Sequence, residues 1–122
     1  MRTTTKHFAQ FKRHARKWLA NFGLVSWEVV YLHTELLAPR LAECGIDPSG
    51  NFADLTLGTA WGDMPRTSEC MDQVACHEVL HILLAKLTTI ASERWTTERE
   101  LEDEEHVVIR ALLQFLFPKP KA

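Results

Sequence analysis

His77, Glu78 and His81 fall in the run His-Glu-Val-Leu-His, and no other group of residues in the chain is as well suited to breaking a bond. Four residues of α-helix make about one turn, so the imidazoles of His77 and His81 project from one face and can grip a single divalent cation. Glu78, three residues before His81, shares that side, where its carboxylate can serve as base to a metal-bound water. From Val74 to Leu87 the flanking residues are apolar almost all round a helix (Ala75, Cys76, Val79, Leu80, Ile82, Leu83, Leu84, Ala85), which predicts a helix at the centre of the fold. Imidazoles and a carboxylate buried there without partners would cost about 1 to 3 kcal/mol each. A cation with its water satisfies all three together; the plainer alternative is two core histidines donating to backbone carbonyls and a glutamate at the rim.

A catalytic zinc takes three protein ligands and leaves a fourth place open for water. Six residues after His81, where a metzincin carries its third histidine, stands Leu87, and three after it stands Leu84 in place of glycine. The remaining donor must come from farther on, and Glu98, Glu100, Glu102, Asp103, Glu104, Glu105 and His106 supply the choice. Leu101, Val108, Leu112 and Phe115 or Leu116 make an inward stripe, and Glu105 belongs to it, four after Leu101 and three before Val108. Glu105 is therefore the first choice of ligand. Glu102 and His106, at the margin of the stripe, are the alternatives, either as ligand or as the group that orients a histidine. Glu100, Asp103 and Glu104 read as a solvated acidic face.

The elements that must hold these residues follow from periodicity. Phe8, Phe11, Ala15, Trp18, Leu19 and Phe22 recur at helical spacing over residues 5 to 22, with Gly23 to end the helix. Ser26 to Glu35 reads as a strand with Trp27, Val29, Tyr31 and His33 on one face and Val30 and Leu32 on the other; a second, weaker strand runs from Arg40 to Ile46. Asp47 to Asn51 is dense in turn residues, and Phe52 to Trp61 returns as a third strand. Thr67 or Ser68 can cap the motif helix, with Glu69 and Asp72 in its first turn, and that helix continues to about Ile90. A polar connector leads to a last helix ending at Pro118, after which the tail is expected to fray.

At 122 residues the chain is most simply one domain, 1–122. A net charge of −2 says little about partners, but its distribution is uneven: Arg2, Lys6, Lys12, Arg13, Arg16 and Lys17 precede any acid, while Glu93 to Glu105 holds seven acids against two arginines. Two solvated helix faces are the plain reading, and nucleic-acid binding by the basic end is the alternative. Cys44, Cys70 and Cys76 are odd in number, lack a Cys-x-x-Cys spacing and follow no signal peptide, which fits a reducing cytoplasm. No apolar stretch is expected to cross a bilayer.

With His77-Glu78-x-x-His81 on a central helix, a helix and an antiparallel meander before it and a glutamate-bearing helix after it, the chain resembles the minimal gluzincin metallopeptidases. That group includes SprT-like and ImmA/IrrE-type proteins, and small zincin-like proteins of phages and prophages are similar in length and order. The resemblance spans most of residues 5 to 117, but neither the Asn-Glu-x-x-x-Asp segment of thermolysin-like enzymes nor the Glu-Ala-Asn-x-Phe of the ImmA/IrrE type is present. It implies an α+β, zincin-like fold of N-terminal helix, small antiparallel sheet of about three strands, central HExxH helix and C-terminal ligand-bearing helix. The implied activity is hydrolysis of a polypeptide substrate, with Zn2+ on His77, His81 and Glu105 and with Glu78 as general base. The strand ending at Trp61 is expected to pair an extended substrate along its edge. Tyr31 and His33 are candidates to stabilise the transition state, with packing against the first helix the simpler role. The competing reading is a non-catalytic accessory module on the same scaffold, its basic first helix contacting nucleic acid or a partner. An intact Glu78 favours the enzyme, because a purely structural zinc has no use for a base.

Overall fold

The computed structural model describes residues 1–118. Thr4 starts the first helix, α1 (Thr5–Asn21): its hydroxyl accepts the backbone N–H of His7 while its own N–H donates to the His7 ring. This reciprocal cap satisfies donors that a helix start otherwise leaves open. Phe11 and Ala15 are fully buried on the inward stripe, and the helix gives way at Gly23, whose φ of 70° suits a residue without a Cβ.

Three strands follow: β1 (Glu28–Thr34), β2 (Ala42–Asp47) and β3 (Phe52–Gly58). Their order in the sheet is β1-β3-β2, with β1 parallel to β3 and β2 antiparallel to it. The expected antiparallel meander is thus corrected to a mixed sheet in which the last strand occupies the middle. Alternation of side chains assigns faces and says nothing about neighbours. The 35–41 connection carries the chain past the site that β3 later fills, and the 3-10 turn at Pro48–Gly50, with Asn51 in the left-handed region, closes the β2–β3 hairpin. Gly58 admits this arrangement: its N–H donates to the Leu41 carbonyl at 2.8 Å, and a Cβ there would stand 2.9 Å from that same oxygen.

Ala53, Leu55 and Leu57 of β3 are fully buried, and with Val29 and Tyr31 of β1 and Ala42, Cys44 and Ile46 of β2 they pack against α1 and the motif helix, α2 (Ser68–Ala91). Thr67 caps α2 by accepting the N–H of Cys70. Where α1 meets the start of α2, Asp72 accepts from Lys17 at 2.9 Å and from the Trp18 indole at 2.6 Å.

Contrary to expectation, one stretch does reach bilayer length: α2, at 24 residues and a mean hydropathy of 1.4 over its most apolar window, is long and apolar enough to cross a membrane. Met71, Ala75, Val79, Ile82 and Leu83 are buried against α1 and the sheet, and 33% of that window lies inside the structure. The last helix, α3 (Glu98–Leu116), capped by Thr97, packs more thinly: none of its residues is fully buried, and Leu101, Glu104, Val108, Ala111 and Leu112 are half-buried. Trp18 and Phe22 of α1 meet Phe115 edge to face at 5.4 and 5.7 Å. The tail beyond Pro118, expected to fray, lies outside the described residues.

Candidate metal centre

The helical spacing of His77 and His81 brings their ring centroids within 5.1 Å. One ligand atom from each, together with a carboxylate oxygen of Glu78, all lie within 4.8 Å of one another. The surroundings differ from those expected for a helix wrapped on every side. α2 leaves one face open, along Gln73, His77, His81 and Leu84, so both imidazoles are exposed and only Glu78 is buried, at 7% exposure. The imidazoles are therefore not buried polar groups in need of a partner, and Glu78, though buried as a residue, borders a cleft. Its carboxylate makes no ion pair or side-chain hydrogen bond among the described residues.

Burial raises the pKa of Glu78, the neighbouring His77 and His81 pull it back, and the charge of Glu43 adds to the upward push. Glu43 belongs to β2, which borders the site. Arg40 to Cys44 and Ile46 form one wall of a cleft of about 540 Å³, with Val74, His77, Glu78 and His81 as the other. Cys44 was overlooked in the sequence because nothing marks a lone cysteine as a neighbour of a distant helix. Burial, and after it the charges of Glu78 and Asp54, raise its thiol to about 12, so it is an inert wall of the cleft. Cys44, Cys70 and Cys76 are all free thiols.

The residues expected from the last helix do not join this group. Glu105, Glu102 and His106 are exposed and outside it, and the His106 ring is turned to the Glu102 carbonyl at 2.7 Å. The acid on the inward stripe of α3 is Glu104, which the sequence reading had left to solvent. Both positions satisfy helical spacing between Leu101 and Val108; Ala111, inward beside Leu112, rotates the buried face toward Glu104 by one residue.

β3, expected to present its edge to a substrate, is the central strand with both edges paired, and β2 is the edge strand over the site. Trp61 is buried, its indole donating to the Leu41 carbonyl at 3.1 Å. Tyr31 and His33 lie on β1, with β3 between them and β2. Tyr31 sits under the Arg16 guanidinium, while His33 stacks on Phe8 at 5.0 Å and bonds to the Thr3 hydroxyl at 2.8 Å. Both pack against α1 and its approach, the simpler of their two expected roles. No protein-family profile matches this chain, and no curated protein or solved structure matches it either.

Proposed function

We propose that this protein is a zinc-dependent metallopeptidase in which His77 and His81 hold the metal and Glu78 is the general base. The observation that carries this reading is a buried glutamate whose carboxylate borders the cleft with no protein partner among the described residues, within 4.8 Å of two exposed imidazoles. The donor set fits: two neutral nitrogens and an adjacent carboxylate suit a borderline-soft cation with an open coordination place. Zinc bound there would polarise a scissile carbonyl and lower the pKa of a bound water toward neutrality. Glu78 then takes the water's proton on a carboxylate oxygen and passes it to the leaving amine.

The third donor is assigned to α3, with Glu104 the acid on its inward face and Glu105 the exposed alternative beside it. Neither stands in the group, so ligation by either requires α3 to draw closer to His77 and His81. The open edge of β2 gives an extended peptide a strand to pair with across the cleft. The three free thiols accord with a reducing compartment such as the cytoplasm.

The test is Glu78→Gln. The variant should bind zinc in the same stoichiometry as the parent while peptide hydrolysis falls by about a hundredfold or more. Equal rates in the two proteins would remove Glu78 from the reaction and the reading with it.

A further inference from the structure

His77 and His81 line two hollows, and they are the only residues common to both. On one side lies the cleft against β2, where Ala42, Ile46 and Val74 stand beside three charged side chains, Glu78 and the exposed rim pair Arg40 and Glu43 at 3.1 Å. On the other lies a hollow of about 360 Å³ on the open face of α2, walled by Cys76, Leu80 and Leu84 with Gln73 beside them and no charged side chain. Leu84 is 37% exposed, an apolar surface left in water beside the proposed metal ligands.

An extended peptide sends successive side chains to opposite sides of its backbone. A bond laid across the two imidazoles therefore directs one flanking residue toward the β2 cleft and the other toward the Leu80–Leu84 hollow. From this geometry we infer that the site selects an extended peptide with an apolar side chain on the flanking residue that faces the Leu80–Leu84 hollow. A lysine or aspartate there would lose water and find no counter-charge, whereas the β2 cleft offers Arg40, Glu43 and Glu78. The inference rests on the peptidase reading for its chemistry, and on the two hollows for its selectivity.

Two measurements on the zinc-loaded full chain separate these. In the first, a mixture of peptides from a digested proteome is incubated with the protein and the cut sites are identified by mass spectrometry. Leu, Ile, Val, Met and Phe should exceed charged residues about tenfold at one flanking position, the discrimination one apolar pocket gives. Leu84→Glu, and the milder Leu84→Ser, should erase that preference. In the second, zinc-loaded Glu78→Gln is titrated with end-blocked hexapeptides whose central pair is Leu-Phe or Lys-Asp. The apolar pair should bind about tenfold more tightly, and Leu84→Glu should abolish the difference. Glu78-dependent cutting without apolar enrichment overturns the inference and leaves the peptidase standing. Selective binding without any Glu78-dependent cutting upholds the inference and overturns the peptidase. Neither cutting nor selective binding overturns both.

Discussion

Glu78 is the one charged residue buried among the described residues, at 7% exposure, and its carboxylate lies within 4.8 Å of two imidazoles at the edge of the cleft. A carboxylate in that position without a donor is costly, and a nearby cation relieves the cost. The trio was legible in the sequence because its geometry is local: one turn of helix fixes which side chains share a side, whatever surrounds it. The third donor was not legible, because Glu104 and Glu105 meet the same spacing rule and only the rotation of α3 against its neighbours separates them. The two make opposite predictions for metal affinity. Glu104→Ala should weaken zinc binding by at least about tenfold, the least that loss of a partner to a metal site costs, while Glu105→Ala changes it little. Competitive titration against a zinc-binding dye reads this directly, and the reverse ranking would return the assignment to Glu105.

α1 and α2 are joined at their contact by Asp72, which accepts from Lys17 and Trp18 and lies 3.5 Å from the His14 ring. Burial alone would raise the pKa of Asp72, but the two donors and the charges of Lys17 and His14 outweigh it and hold the carboxyl below its ordinary value. The folded pKa is therefore below the unfolded one. Stability from this group is complete above the unfolded value of about 3.9 and drains away as pH falls through the folded value. Asp72→Ala should cost about 1 kcal/mol at neutral pH, a figure that already allows for partial exposure, and parent and variant should converge in acid. Denaturant melts at pH 7 and pH 3 check this, and a gap of equal size at both would discount the carboxylate. Each helix and strand was legible to within a few residues from periodicity and caps. The pairing of strands was not, since β1 and β3 carry patterns that suit parallel and antiparallel neighbours alike.

The whole molecule holds its catalytic candidates on an open face, with α3 lightly packed beside α2. Metal that binds only the folded chain stabilises it by mass action. Zinc at a hundred times its dissociation constant should add about 2.7 kcal/mol, raise the melting temperature by several degrees, and lose both to a chelator. Calorimetric scans with and without chelator test this, and identical scans would deny the metal any part in stability. Sequence alone determined the turn of helix that sets two histidines and a glutamate on one side, and the positions of the helices and strands, because these depend on residues only a few places apart. Tertiary structure alone decided that the imidazoles face solvent, that Glu104 and not Glu105 turns inward, that β2 and not β3 borders the site, and that a cleft with charged walls and an uncharged hollow meet at the histidine pair. Those outcomes depend on how separate elements pack against one another, and no local spacing in the chain encodes that.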